Sequence, residues 1–354
     1  MQEKQVAQVL FEELPAKRGR LGIITLNRPE SLNALSLQML IDITNKLNTW
    51  KLDPEIHAVI IKSSNAKAFC AGGDIKRLYT LGPEHYHKEV DYFRIEYRLS
   101  LLINEYPKPY IALLDGIAMG GGLGLSINGA RVIATENLKL AMPETAIGLY
   151  PDTGASHFLS HCPDHLGMYL GLTGNPIGIN DAMFCELVDA LIPSAKHGEF
   201  LQVLSDNDLS VEPLKTIDKI INTYKVTPGS SELAQQLRII KSCFNLDSVE
   251  AVVKALEQQA SSWAAEQLAI IKTRSPSSLK ITYKEITKGK TQDLATCLEM
   301  EINLTIQVLQ SHDLYEGIRA VLIDKTHDAK WQPATLEELD DSVIDAMFEI
   351  KCKL

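Results

Sequence analysis

No apolar run in this 354-residue chain approaches the ~18 positions that a membrane-spanning helix requires. Cysteine is scarce and scattered: the six residues show no C-x-x-C and no paired spacing, which argues against a disulfide scaffold or a structural zinc site and for free thiols in a reducing compartment. Positive charge is in deficit. Lys and Arg number 35 against 45 Asp and Glu, giving a formal charge of −10 with no basic cluster to offset it, so neither nucleic acid nor an anionic membrane is an expected partner. Internal repeats and low-complexity tracts are missing, and so is G-x-G-x-x-G: Gly120 and Gly122 fit, but Leu125 stands where the third glycine of a dinucleotide fingerprint belongs. Ser126, in Gly124-Leu125-Ser126-Ile127-Asn128, lacks the last glycine of a nucleophile elbow. His157, His161, Cys162 and His165 gather near one expected helix without an acid-rich partner motif, which favours helix-end or solvent-facing roles over metal binding.

What the chain does carry is glycine after short apolar runs. Ala58-Val59-Ile60-Ile61 precedes Phe69-Cys70-Ala71-Gly72-Gly73-Asp74, and Tyr110-Ile111-Ala112-Leu113-Leu114 precedes Met119-Gly120-Gly121-Gly122. Such runs read as buried parallel strands. A bend without a Cβ lets main-chain N–H groups approach a ligand oxygen, so the two bends read as halves of an oxyanion hole or, taken singly, as ordinary turns. Two acids, Glu144 and Asp152, then lie eight residues apart in the otherwise apolar or small segment Ala141 to Gly154. Carboxylates in such surroundings lose solvation and shift toward the range where acid–base chemistry is efficient. The structural alternative places Glu144 in a first helical turn after Pro143 and Asp152 as the cap of a helix starting near Thr153. Tyr86, Tyr92, Phe93 and Tyr97 are expected in the core and as pocket lining.

Leu26-Asn27-Arg28-Pro29 with Leu32-Asn33-Ala34-Leu35, Ala71-Gly72-Gly73-Asp74, Gly120-Gly121-Gly122 and Pro143-Glu144 together resemble the enoyl-CoA hydratase/isomerase (crotonase) superfamily in order and spacing. Within it the resemblance is to the 3-hydroxyisobutyryl-CoA hydrolase family, thioesterases of valine catabolism, and it runs through nearly the whole chain to His312–Lys325. The hydratases resembled carry a second catalytic glutamate where this chain has Gly124, which argues against hydration or isomerisation; a non-catalytic protein retaining the fold is the third alternative.

The resemblance implies a spiral of ββα units and an acyl-CoA substrate whose thioester oxygen is bound by the N–H groups of Gly73 and Gly121. It implies Glu144 as nucleophile or general base, with a lean toward the nucleophile, and Asp152 as the acid that holds a 3-hydroxyl and tunes Glu144. Asn33, Ala34, Ala71, Gly72, Asp74, Gly120 and Gly122 are the implied substrate-binding positions. The expected substrate is 3-hydroxyisobutyryl-CoA, with 3-hydroxypropionyl-CoA as a further candidate. Neither metal nor separate cofactor is expected, coenzyme A being part of the substrate; its phosphates would draw on Arg28, Lys62, Lys67, Lys76 or Arg77.

Residues 1–205 alternate β-rich runs with helices, an α/β pattern with strands near 9–12, 21–27, 57–62, 110–115, 130–134 and 187–191 and helices near 36–50, 84–105, 122–129 and 153–172. Residues 206–354 turn helical, over 232–243, 249–259, 263–273, 279–287 and 291–310, with Ser248 and Ser275 at helix starts and Pro213, Pro228-Gly229 and Pro333 in linkers. By the resemblance, this helical region covers the active site of its own subunit, which favours a monomer or small homo-oligomer. The opening Met1–Gln5 leads straight into strand candidates, which predicts no transit segment and a cytoplasmic protein, with the mitochondrial matrix as the alternative.

Overall fold

Strand residues that are buried on both faces dictate the architecture. In Ile56–Ser63, Val59 and Ile61 point into one core while Ala58 and Ile60 point into another; Leu21 and Ile23 oppose Ile24 and Leu26 in Arg20–Leu26 in the same way. A sheet of such strands needs cover on each side. The computed structural model, which describes residues 7–349 and 353–354, supplies it; Met1–Gln5 lie outside the described residues.

The strands are β1 (Val9–Pro15), β2 (Arg20–Leu26), β3 (Ile56–Ser63), β4 (Ala68–Cys70), β5 (Tyr110–Leu114), β6 (Ile117–Met119), β7 (Arg131–Ala134), β8 (Lys139–Ala141) and β9 (Ala190–Leu191). Six form one sheet in the order β1-β2-β3-β5-β7-β9, antiparallel only between β1 and β2. The other three, β4-β6-β8, form a second, wholly parallel sheet. The pairs β3-β4, β5-β6 and β7-β8 each send one strand to each sheet and then enter a helical segment, so three ββα units stack as a spiral, the arrangement that the resemblance implies.

On one side of the large sheet, Phe200, Leu204, Ile217 and Ile221 close the smaller core. On the other, Leu40, Leu47 and Trp50 of the helix Leu37–Leu52 join a core that continues into Leu279, Leu298 and Ile302, so the helical region shares the interior of the sheets. Its helices Glu232–Phe244, Val249–Glu257, Ser262–Ile271, Pro276–Gly289 and Leu294–Val308 fall where the apolar spacing puts them. Ser248 and Ser275 accept bonds from Ala251 N at 3.1 Å and Ser278 N at 3.2 Å as their N-caps.

Four expectations change. The helix expected over 153–172 is two, Ala155–His161 and Leu166–Thr173, because Pro163 denies the residue before it a helical backbone and Asp164 and His165 then take left-handed φ of 54° and 64°. Pro213 is no linker residue: it opens the helix Pro213–Tyr224, where its fixed φ suits the first position and no donor is lost. The helix expected over 122–129 is confined to Gly121–Gly124, since glycines hold a helix weakly. Asp152 is not a side-chain cap; Gly154 precedes the helix, and Asp152 offers it only a main-chain carbonyl, 3.0 Å from Ala155 N.

Candidate active site

The small parallel sheet is the positioning device. Parallel strands about 4.8 Å apart end on the same side, and in such sheets ligands sit beyond the strands' carboxyl ends. Here β4 runs into Ala71-Gly72-Gly73, β6 into Gly120-Gly121 and β8 into Met142-Pro143-Glu144, with Cys70 paired to Ala118 and Met119 to Ala141. Three chain segments far apart in sequence therefore meet at one edge.

Gly72 and Gly120 take φ of 99° and 50°, open to glycine and costly for other residues. A Cβ at Gly72 would lie 3.6 Å from Gly121 N and 3.7 Å from the Gly120 Cα, so the two bends touch. Gly73 forms a parallel bridge with Leu35: Leu35 N donates to Gly72 O at 2.8 Å and Asp74 N to Leu35 O at 3.0 Å, which turns Gly73 N–H to the opposite side. Gly121 opens its short helix, so its N–H has no carbonyl behind it within that helix. Both glycines line a cavity of ≈ 470 Å³, together with Ala34, Ala71, Gly72, Asp74, Gly120, Glu144 and Asp152.

Asn33 and Gly122, the two other implied substrate positions, are not among the lining residues. Asn33 is fully buried scaffolding: its Oδ1 accepts from Arg28 N at 2.8 Å and its Nδ2 donates to Ser63 Oγ at 2.7 Å and Phe69 O at 2.9 Å. Gly122 lets its turn pack on β4, where a Cβ would come 2.7 Å from Cys70 O. Of the five basic candidates, Lys76 lines the cavity, while Arg28 pairs with Asp74 at 2.8 Å and Arg77 with Glu89 at 2.6 Å.

A third acid was not read from the sequence. Glu96, on the helix Tyr86–Asn104, reaches the cavity, and a Cβ on Gly121 would fall 2.1 Å from its Oε1. Its signal was position: it shares the buried face with Tyr92, Phe93, Tyr97 and Ser100, at helical spacing within an apolar stripe. Glu144, Glu96 and Asp152 are 6%, 4% and 3% exposed, and Glu144 Oε2 and Glu96 Oε1 meet no donor among the described residues.

Burial, followed by the charge of Asp152, pushes the carboxyls of Glu144 and Glu96 well above the usual range. Burial also raises Asp152, to about 7, although the hydroxyl of Tyr97 donates to its Oδ2 at 2.7 Å and opposes the shift. Asp152 is thus the readier of the three to carry charge at neutral pH. At position 124 there is no room for a further carboxylate: a Cβ would lie 2.7 Å from that of Thr153 and 2.9 Å from Ser100 Oγ.

Behind the cavity, burial raises Glu301 to about 8, and raises Glu285, whose two oxygens find no partner among the described residues. These acids hold protons in the folded chain that the unfolded chain releases above its ordinary carboxylate pKa. Stability should therefore fall as pH rises from about 5 to 8, the reverse of acid denaturation by paired carboxylates. Glu285→Gln, which fixes the neutral form, should match wild type near pH 5 and melt higher by about 1 °C or more near pH 8, about 1 kcal/mol or more. Melting curves that stay parallel across this range would contradict the buried, protonated state of Glu285.

The same architecture and sequence recur in known proteins. The enoyl-CoA hydratase/isomerase family model matches residues 21–348. A Xenopus tropicalis protein named "3-hydroxyisobutyryl-CoA hydrolase, mitochondrial" is 42% identical over 95% of this chain and 88% of its own length. The Mus musculus protein of that name is 40% identical over 98% and 89%. Among solved structures, a carnitinyl-CoA dehydratase from Mycobacterium thermoresistibile superposes with a TM-score of 0.88 at 33% identity, covering 96% of both chains. An enoyl-CoA hydratase from Rhodobacter sphaeroides does so with 0.87 at 31%, covering 97% of both. The spiral of ββα units, the glycine bends at the ends of the small sheet and this full-length similarity have one meaning: the chain belongs to the enoyl-CoA hydratase/isomerase family.

Proposed function

We propose that the chain is a thioester hydrolase releasing coenzyme A from 3-hydroxyisobutyryl-CoA, with 3-hydroxypropionyl-CoA as a second substrate of the same class. The observation that carries this reading is that Asp152 and Glu144, both buried, line one chamber, while position 124, packed against Thr153 and Ser100, is closed to a further glutamate. Relatives at about 40% identity that bear the hydrolase name support it.

In this scheme the N–H groups of Gly73 and Gly121 polarise the thioester carbonyl and stabilise the charge formed on attack. Ionised Glu144 attacks the carbonyl carbon, the C–S bond breaks, and the departing thiolate takes a proton. Water then opens the mixed anhydride, giving the hydroxy acid and restoring the carboxylate. The alternative uses Glu144 as the base that deprotonates water. Asp152 accepts a hydrogen bond from the substrate's 3-hydroxyl. Neither route calls on a metal or a separate cofactor. Lys76 is the cation we place at the coenzyme A phosphates, and Val321 and Leu322, which line the chamber, are the cover supplied by residues 206–354. Relatives named mitochondrial support a mitochondrial location over the cytoplasm, and we read the compartment as the matrix and the assembly as a monomer or small homo-oligomer.

The test measures free thiol released from 3-hydroxyisobutyryl-CoA beside hydration of crotonyl-CoA. Thiol release should dominate by about 10²-fold or more, since each misplaced acid in a two-carboxylate hydration costs roughly that much. Hydration without thiol release would make the chain a hydratase.

A further inference from the structure

We propose that Tyr97 and Thr305 are positioning residues for Asp152: a chain of hydroxyls anchored on the helix Leu294–Val308 fixes the direction of its carboxylate and so carries discrimination between hydroxylated and plain acyl chains. This rests on the role of Asp152 proposed above.

The geometry is a clamp with two jaws. Tyr97 Oη donates to Asp152 Oδ2 at 2.7 Å and lies 2.8 Å from Thr305 Oγ1, which in turn lies 2.7 Å from Tyr150 Oη; the Tyr150 hydroxyl donates to Glu301 O at 2.5 Å. One turn earlier on the same helix, the Glu301 side chain accepts from Gly154 N at 2.7 Å, Ser156 N at 3.1 Å and Ser156 Oγ at 2.6 Å. Glu301 and Thr305, four residues apart on one face, thus hold the segment 152–156 by its main chain and by its catalytic side chain.

Donor counting makes Thr305 more than packing. A phenol has one proton, and those of Tyr97 and Tyr150 are committed to a carboxylate and a carbonyl, neither of which can donate. The Thr305 hydroxyl must therefore donate to one of the two phenol oxygens beside it, and with Asp152 ionised its single proton serves one of those two contacts while the other carries none. When Asp152 is protonated, the chain fills in one direction: Asp152 donates to Tyr97, Tyr97 to Thr305 and Thr305 to Tyr150, while Tyr150 keeps its bond to Glu301 O. No buried hydroxyl is orphaned in either state, so the carboxylate keeps its direction through turnover. With Oδ2 held by Tyr97, Oδ1 is left for the substrate's hydroxyl.

The experiment compares kcat/KM for 3-hydroxyisobutyryl-CoA with that for isobutyryl-CoA, which lacks the hydroxyl. The ratio should fall about tenfold in Tyr97→Phe and a few-fold in Thr305→Val, and stay within about twofold of wild type in Thr305→Ser. Equal losses on both substrates, or an unchanged ratio, would overturn the inference. Asp152→Asn locates any failure: if it too leaves the ratio intact, the role given to Asp152 falls and the inference with it; if it collapses the ratio while Tyr97→Phe does not, the hydroxyl chain alone is wrong. Tyr97→Phe and Thr305→Ser keep the test decisive should Thr305→Val fail to fold.

Discussion

Glu144→Gln should leave a folded protein that retains acyl-CoA binding and loses about 10³-fold or more in thioester hydrolysis. The fold has no reason to object. Burial pushes the Glu144 carboxyl well above its usual pKa, toward the neutral form that the amide mimics, and the amide nitrogen can take the place of Oε2, which meets no donor among the described residues, without loss of a hydrogen bond. The chemistry has every reason to object, because an amide neither attacks a thioester nor accepts a proton from water. Binding energy comes from amides and contacts elsewhere in the chamber, so KM should move little while kcat collapses, the pattern of a group that acts only in the transition state. Turnover in water carrying heavy oxygen separates the two routes. Label found in Glu144, or enzyme oxygen found in the first product formed, marks an anhydride opened at its glutamyl carbonyl; product labelled solely from water in a single turnover marks either general base catalysis or opening at the acyl carbonyl, and reductive trapping of the anhydride by borohydride tells these two apart. A variant that keeps more than about a tenth of wild-type kcat would remove Glu144 from the reaction altogether.

Why Glu144 and Asp152 were legible and Glu96 was not follows from contrast. Two acids in a stretch of small and apolar residues have no surface role to explain them, whereas Glu96 sits among Lys88, Asp91, Arg94 and Arg98 on a helix whose charges mostly face water. Only the helical wheel separates it from them. The glycine bends were legible because positive φ is written in residue type, as at Gly72 and Gly120. The strands that aim those bends were not: β4, β6 and β8 are three residues each, too short for a period of two to register. The sharing of one core by the sheets and helices such as Leu294–Val308 was equally hidden, since Tyr97 and Thr305 meet across 208 residues through hydroxyls that ordinary burial would silence. Pro163 and Pro213 were a different matter. One breaks a helix and the other opens one, and each does so by the same fixed φ and missing donor, so position within the apolar pattern, not proline itself, carried the information.

A single methyl at the second bend should be nearly as damaging as loss of the catalytic acid. Gly120→Ala places a Cβ 2.8 Å from Glu144 Oε1, at a backbone of φ 50° and ψ −127° that side chains avoid. The chain can respond in two ways, and both hurt. If the backbone holds, the carboxylate is displaced from the face of the carbonyl it must reach, and an error of this size in attack geometry costs about 10²-fold. If the backbone relaxes, Gly121 N–H turns away from the thioester oxygen, and one lost oxyanion donor costs about 10²–10³-fold in kcat. Stability should fall by only about 1–3 kcal/mol, because the strain is local and the position faces the chamber rather than the packed core. The comparison that isolates the effect is Gly178→Ala, where φ is −88° and the nearest atom to a new Cβ is 4.0 Å away; it should keep full activity and melt close to the wild-type temperature, the entropy gained in the unfolded chain offsetting a weaker N-cap of the helix Ile179–Phe184. Full activity in Gly120→Ala would mean that neither the bend nor the glutamate beside it takes part in the chemistry, because no arrangement of this chamber leaves both in place once that methyl is added.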